Sequence, residues 1–564
     1  MPGVLISSDA RVDLASMARV YLETFGCQMN ELDSELVAGS LRALGYEFTR
    51  EPGEADVLLY NTCSVREQAE QKVWSRLGEL KDEKAARPGL VVGVLGCMAE
   101  RDGVDLIKRM PVVDIMCGPG ELDKLPGLVD NAVRTRASLV DAGVPGASRS
   151  AGEVALQGNA SRRSSTLAAA EDSLELLDLS RAISPTDHAG SAYVRITRGC
   201  NKFCTYCVVP FTRGAEMHRP PDHIVDECKR LADAGVIEVT LLGQTVNHYR
   251  FEHGASVAVN GVVQPQKGRT YEGSHHRDAF AGERVTTFAG LLSRIHEEVP
   301  GIRRLRFVTS YPRDFGNDVL EVMRESARIC RYLHAPAQSG SDSVLKRMNR
   351  GYTVGEYDEF LARARSFLDQ PEKGRPLMVS GDIIVGFPGE TEEDFEGTVA
   401  LVKRARYKNC FIFKYSPRPG TVAHDRIRDD VPEEVKRRRN NALLAVQGEI
   451  TAEIGREQVG RVFDVIVEGL SKRSKKRAGM SHGQMRAAKA IEVTVGGRAM
   501  GGTGPVSEQG QALQLSGRTD GDQIVFFDVP VGEAADDLIG RIVGVRVVEA
   551  VGLSLHGEIA DSVR

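Results

Sequence analysis

Three cysteines crowd into one short stretch, Arg198-Gly199-Cys200-Asn201-Lys202-Phe203-Cys204-Thr205-Tyr206-Cys207. The spacing is C-x3-C-x2-C, directly after an apolar run at 192–197. Three thiolates on one loop can hold three irons of a [4Fe–4S] cluster and leave the fourth iron open. An open coordination position marks a reactive metal site rather than a structural one. A structural zinc site is the other reading. Zinc takes four ligands, usually from paired C-x2-C units, and no second pair exists here, so His218 or His223 would have to complete it.

A second set is spread over the first hundred residues. Val20-Tyr21-Leu22 leads to Gly26-Cys27, Val57-Leu58-Leu59-Tyr60 leads to Cys63, and Val91-Val92-Gly93-Val94-Leu95 leads to Gly96-Cys97. Parallel strands align their carboxyl ends along one edge, where ligands bind in open α/β sheets. Three thiolates gathered there would make a second cluster with an open iron. The alternative is three core cysteines, since free cysteine is among the most buried residue types. Cys117, Cys228, Cys330 and Cys410 sit in apolar strand or helix patterns and read as core thiols.

The elements that must position these residues follow from pattern. Residues 18–134 alternate apolar runs with helical periodicity (Leu32, Leu36, Leu41, Leu44, then Gly45 as a C-cap), which predicts an open parallel sheet. Residues 135–189 are rich in Ala, Ser and Gly and read as a flexible linker with one short helix at 174–179. The β/α alternation returns over 190–450, with strands at 192–197, 238–242, 305–309, 382–385 and 410–415. A polar, Gly/His-rich surface insertion interrupts it at about 251–284. Residues 451–560 switch to short β runs at 462–467, 490–494, 523–527 and 544–548, which predicts a small β-barrel with a Gly-rich insertion near 496–504.

The chain has 564 residues, a net charge of −5, 41% hydrophobic and 27% charged residues. That length predicts about three domains, and the composition excludes a disordered, collagen-like or disulfide-dense chain. No run of about 18 apolar residues exists, so no transmembrane helix is expected. Nor does a basic patch precede an apolar stretch within residues 1–17, so no secretory signal is expected. Ten cysteines in such a chain point to a reducing compartment, where cysteines read as metal ligands, reactive thiols or core residues rather than disulfides. The slightly acidic total does not exclude nucleic acid, because binding depends on local charge. Neither a Walker A pattern nor G-x-G-x-x-G after a strand is present, so nucleotide-triphosphate or dinucleotide binding is not supported.

Cys200, Cys204 and Cys207, after a first strand and before a long β/α series, resemble the loop of radical S-adenosylmethionine (radical SAM) enzymes. With the second cysteine set, the chain resembles the radical SAM methylthiotransferases over nearly all of its length outside the insertions. The motifs that carry this are Thr24-Phe25-Gly26-Cys27-Gln28-Met29-Asn30, Asn61-Thr62-Cys63-Ser64-Val65-Arg66, Gly96-Cys97-Met98-Ala99-Glu100-Arg101, Leu242-Gly243-Gln244-Thr245-Val246-Asn247, Gln338-Ser339-Gly340-Ser341-Asp342 and Tyr415-Ser416-Pro417-Arg418-Pro419-Gly420-Thr421. Gln28-Met29-Asn30 after the first cysteine favours the tRNA isopentenyl-adenosine branch. Relatives that act on threonylcarbamoyl-adenosine or on a ribosomal protein side chain differ there; they are the alternative reading, and a zinc-dependent RNA-binding protein is the non-enzymatic one.

The resemblance implies an N-terminal parallel-sheet domain, a partial (β/α)6 radical SAM barrel and a C-terminal RNA-binding TRAM barrel. It implies two [4Fe–4S] clusters, one on Cys200, Cys204 and Cys207 that cleaves SAM, and an auxiliary one on Cys27, Cys63 and Cys97 that carries sulfur. SAM binding is expected at Gly386 and Gly389 in the strand-end turn 381–390, where glycines let backbone approach a ligand, and at Gln338 and Ser310; an ordinary strand-to-helix turn is the plainer reading of the two glycines. The implied reaction methylthiolates C2 of N6-isopentenyladenosine at position 37 of tRNA. Partners would be tRNA, an electron donor and a sulfur source, with a cytoplasmic monomer and no membrane. Lys472-Arg473-Ser474-Lys475-Lys476-Arg477 is a basic run suited to RNA phosphates, or a solvated loop. His334-Ala335-Pro336-Ala337-Gln338 keeps the family's H-x-P-x-Q, whereas its G-R-T-E-N-N signature reads Gly517-Arg518-Thr519-Asp520-Gly521-Asp522. That departure bears on RNA affinity more than on catalysis.

Overall fold

The computed structural model describes residues 18–64, 67–141, 152–157, 173–183, 190–268, 284–477, 513–530 and 532–561. They form two compact units. One holds the described residues up to Ala182 together with Val208–Ala215; the other holds Ile183–Cys207 and the described residues from Glu216 onward.

The first unit is built on a six-stranded sheet of β1 (Arg19–Phe25), β2 (Glu47–Phe48), β3 (Val57–Thr62), β4 (Val91–Gly96), β5 (Ile115–Cys117) and β6 (Glu153–Ala155), in the order β2-β1-β3-β4-β5-β6. Every pairing is parallel. β3 and β4 are buried at every position, which is why they read as unbroken apolar runs rather than alternating ones. Helix Gln28–Ala43 buries Leu32, Leu36 and Leu41 as its periodicity requires. Leu44 is the cap residue and half exposed, and Gly45 follows it at φ +92°. The stretch expected as linker contributes structure at two places. Residues 153–155 close the sheet as its sixth strand, and the short helix is Ser173–Leu179.

In the second unit, β7 (Ser191–Arg195), β8 (Glu238–Leu242) and β9 (Arg304–Phe307) form one parallel sheet, while β10 (Tyr332–His334), β11 (Met378–Val385) and β12 (Asn409–Lys414) form another. Six parallel strands with intervening helices give the expected incomplete (β/α)6 series. A parallel bridge from Leu305 to Ile329 lies between the halves. Five further strands close a small barrel: β13 (Val462–Leu470), β14 (Gln514–Arg518), β15 (Ile524–Asp528), β16 (Ile542–Val551) and β17 (Ser554–Asp561), in the order β13-β14-β15-β17-β16. Phe463, Val465, Leu515, Val525, Phe527 and Val545 fill its interior. Closure removes the exposed strand edges that an open sheet of this size would carry. The strand expected at 490–494, the Gly-rich insertion near 496–504 and residues 269–283 of the insertion at 251–284 lie outside the described residues. Among the described residues, no helix is long and apolar enough to cross a membrane.

Candidate active site

Cys200, Cys204 and Cys207 follow β7 on a loop pinned from several sides. The Cys207 amide donates to the Cys204 carbonyl at 3.0 Å. A segment about 145 residues away in sequence grips the loop: the Thr205 amide donates to Met348 O at 3.0 Å, Thr205 Oγ1 to Arg347 O at 2.9 Å, and Asn349 Nδ2 to Phe203 O at 3.1 Å. Arg350 Nη1 donates to Cys204 Sγ at 3.4 Å. Phe203 takes a left-handed backbone, φ +48°, and is half exposed, a strained conformation of the kind that clusters at functional sites. All ten cysteines are thiols rather than disulfides, as a metal-binding reading requires.

Beneath the loop lies a buried charged cluster. His248 Nε2 and Lys202 Nζ contact Asp314 Oδ2 at 2.8 and 2.6 Å, and both His248 and His218 lie 3.5 Å from Glu216 Oε1. Burial opposes the charge of Asp314, but the hydrogen bonds from His248 and Lys202 hold its carboxyl well below the usual range. Burial likewise opposes the His248 imidazolium, yet Glu216 and Asp314 raise it above the ordinary 6.5. A raised histidine stabilises the fold fully below its unfolded value and loses that contribution as pH rises through the folded one. His248→Gln should therefore lower Tm by a few degrees at pH 6, given about 1.5–3 kcal/mol for a charged hydrogen bond. The deficit should shrink as pH rises past neutrality; a deficit constant from pH 5.5 to 8.5 would contradict the assignment. Burial and Glu216 push the Cys200 thiol up to about 12, so iron entering this loop must displace a proton.

The expected SAM-binding residues fall into two kinds of setting. Ser310 lies just past the end of β9, buried, and its Oγ has no hydrogen-bond partner among the described residues. Gln338 is buried with φ +73°, and Thr309 has φ +68°. Left-handed backbone at a β-branched residue is an outlier, and here it sits at strand carboxyl ends, where α/β sheets bind ligands. Gly386 and Gly389 are left-handed as well, φ +71° and +77°, but their surroundings are the chain itself. A side chain at Gly386 would strike the stem of Lys436. The Gly389 amide donates to Asp430 Oδ1 at 2.7 Å, and its carbonyl accepts from Arg347 Nη2 at 2.9 Å.

In the first unit, register brings the other three cysteines together. Phe25 pairs with Thr62, and Thr62 with Gly96, so Cys27, Cys63 and Cys97 leave three adjacent strands at one level of one edge. Neighbouring strands lie about 4.8 Å apart, which puts the thiols within reach of one cluster. Gly26 (φ +144°) presses directly on Cys63, and a side chain there would collide with the Cys63 Cβ. A network absent from any sequence pattern ties the Cys27 turn to the strand end before Cys63. Cys27 Sγ lies 3.1 Å from Asn30 Oδ1, Asn30 Nδ2 donates to Asn61 Oδ1 at 2.9 Å, and Asn61 Nδ2 donates to Asn30 O and Ser34 Oγ, both at 2.9 Å. Asn30 and Asn61 are fully buried.

Arg213 is a further residue of this edge that spacing does not mark. It pairs with buried Asp33 at 2.8 Å. Burial opposes its charge, and Asp33 with the thiols of Cys97 and Cys27 sustains it.

Among the described residues, no three His, Cys, Asp or Glu side chains close on a single metal ion. A four-iron cluster does not ask for that, since each thiolate takes its own iron. The donor chemistry of both sets fits such a cluster, and Thr62 Oγ1 and Ser64 Oγ, buried beside Cys63, have no hydrogen-bond partner among the described residues. Gly26→Ala should cost the iron held at this edge while far-UV circular dichroism stays unchanged. Full iron in that variant would contradict the close packing of the turn on Cys63.

Two family models match the chain: Uncharacterized protein family UPF0004 over residues 19–118, and the Radical SAM superfamily over 194–402. Proteins named tRNA-2-methylthio-N(6)-dimethylallyladenosine synthase are similar over nearly the whole length. That of Rhodopirellula baltica is 41% identical over 550 residues, covering 95% of this chain and 98% of its own. Those of Burkholderia ambifaria and Yersinia enterocolitica are 37% and 36% identical, each covering 96% of this chain and 97% and 92% of their own. The two cysteine sets fall within or beside the matched regions, and the chain belongs to the family of tRNA-2-methylthio-N(6)-dimethylallyladenosine synthases.

Proposed function

We propose that this chain replaces the C2 hydrogen of N6-isopentenyladenosine, at position 37 of tRNA, with a methylthio group. The observation that carries the reading is the pair of three-cysteine sets, one on a C-x3-C-x2-C loop and one at register-matched strand ends, in a chain of this family. Cys200, Cys204 and Cys207 would hold a [4Fe–4S] cluster, and Cys27, Cys63 and Cys97 a second. When bound, these groups supply the electron for reductive SAM cleavage and the sulfur that is inserted, chemistry no side chain provides. Ser310 and Gln338 bind SAM at the strand ends. One SAM would give its methyl group to sulfur and leave as S-adenosylhomocysteine; another would take one electron and break into methionine and a 5′-deoxyadenosyl group that leaves as 5′-deoxyadenosine with the C2 hydrogen, one electron returning as the C2–S bond forms.

The closed barrel serves as a TRAM-type RNA-binding module. Lys472–Arg477 forms a short helix after β13, anchored where the Gln514 amide donates to Ser474 Oγ at 2.8 Å, with Lys472, Arg473 and Lys476 exposed. Such cations position a phosphate backbone without reading sequence. The reaction needs a low-potential electron donor and a sulfur source and takes place in the cytoplasm, where tRNA is. The test is in vitro. Anaerobically reconstituted protein, SAM, reductant and tRNA bearing isopentenyladenosine should yield the 2-methylthio nucleoside by mass spectrometry. Turnover only of tRNA bearing threonylcarbamoyl-adenosine would overturn the substrate assignment.

A further inference from the structure

Arg350 is buried within the second unit, and each terminal nitrogen is accounted for. Nε donates to Tyr352 Oη at 3.0 Å, Nη2 to Pro336 O at 3.1 Å, and Nη1 to Cys204 Sγ at 3.4 Å and Tyr206 Oη at 3.5 Å. The guanidinium also lies over the rings of Tyr311 and Tyr352, at 4.7 and 5.2 Å. No carboxylate contacts it among the described residues. This is unusual, because a buried cation is normally paired with an anion and costs several kcal/mol otherwise. Two other buried arginines follow that rule, Arg213 with Asp33 and Arg219 with Glu227, whereas Arg331 rests on backbone carbonyls. Around Arg350 are three phenols, a carbonyl and one acid that ionises on binding iron, the Cys204 thiol.

We infer that Arg350 is a positioning residue whose counter-anion is the iron-bound Cys204 thiolate, and that its hydrogen bond raises the reduction potential of the cluster on that loop. The inference rests on the cluster reading given above for Cys200, Cys204 and Cys207. Reduction adds one electron, from a low-potential carrier, and hence one negative charge to the cluster. A fixed cation hydrogen-bonded to a ligand sulfur stabilises that more negative form, and hydrogen bonds to the sulfurs are among the terms that set such potentials. The fork is held rigid because Tyr352 Oη in turn donates to Pro336 O and Ala337 O, at 3.0 and 2.9 Å. Lysine would keep the charge but lose the fork.

The test is a dithionite titration followed by electron paramagnetic resonance. It uses the full chain carrying Cys27→Ala, Cys63→Ala and Cys97→Ala, so that only one cluster is read. Arg350→Met should lower the reduced-to-oxidised ratio at a fixed potential at least tenfold, about 59 mV for one electron, and Arg350→Lys should lower it less. An unchanged potential in an iron-replete Arg350→Met protein would overturn the inference. If Arg350→Met does not fold, Arg350→Lys decides: a lowered potential supports the role, an unchanged one overturns it. Absence of any iron signal in the parent protein would instead remove the cluster reading itself, a distinguishable failure.

Discussion

Purified without oxygen, Cys200→Ala should hold about half the iron of the wild type and cleave no SAM. Cys63→Ala should hold the same half, still release 5′-deoxyadenosine from SAM, and transfer no methylthio group. The split follows from where the two sets lie. Cys200 stands on the loop after β7 in one compact unit, and Cys63 at the end of β3 in the other. Each set has its own supports, Arg347–Arg350 for the first and Asn30 with Asn61 for the second. Losing one thiolate of three leaves a cluster without a stable seat. If Cys63→Ala abolished SAM cleavage as fully as Cys200→Ala, the assignment of separate roles would be wrong.

Asp522→Ala should lower Tm by about 10 °C. Its carboxylate accepts from Lys408 Nζ at 2.7 Å and from Arg518 Nη1 at 2.9 Å, and the Asp522 backbone is left-handed at φ +62°. Beside it, Arg306 donates to the carbonyls of Thr519 and Asp520, each at 3.1 Å, and Arg304 to that of Arg518 at 2.8 Å. The turn 517–522 thus docks the barrel on β9 and β12 of the same unit. Removing one partner of a buried pair costs about 3–5 kcal/mol because the other is left uncompensated, and each kcal/mol moves Tm by about 2–4 °C in domains of this size. Replacing both, Lys408→Met with Asp522→Leu, should cost less than Asp522→Ala alone. Burial opposes the charge of Asp522, but Lys408, Arg518 and Arg306 hold its carboxyl well below the usual range. A depressed carboxyl stabilises fully above its unfolded value, about 3.9, and loses that contribution as pH falls through the folded one. The Asp522→Asn deficit should therefore shrink in strong acid, and it should narrow again towards pH 8, because burial holds the Lys408 ammonium down to about 8. A thermal scan at pH 7 in which Asp522→Ala matches the wild type would contradict the docking role.

What could be read before any coordinates was the part carried by long apolar runs and by cysteine spacing. β3, β4 and β8 are buried at every position, so burial writes them plainly into the sequence. β10 was invisible because three residues, Tyr332–His334, give no period. β6 was hidden inside an Ala/Ser/Gly-rich stretch whose composition outweighed three paired residues. The second cysteine set was legible because each member follows a strand. Its supports were not, since the hydrogen bond from Asn30 to Asn61 joins residues 31 apart and Arg213 reaches Asp33 over 180. Arg350 escaped for the same reason: its contact with Cys204 spans 146 residues. The turn 517–522, which bears on RNA affinity when read as a departing family signature, also has a visible packing task against the chain's own arginines and Lys408.

The most direct test of the central claim is nucleoside mass spectrometry of bulk tRNA from the host with and without this gene. Loss of the 2-methylthio form with accumulation of N6-isopentenyladenosine, restored by the wild-type gene but not by Cys200→Ala or Cys63→Ala, is the predicted result. An unchanged isopentenyladenosine pool would contradict it.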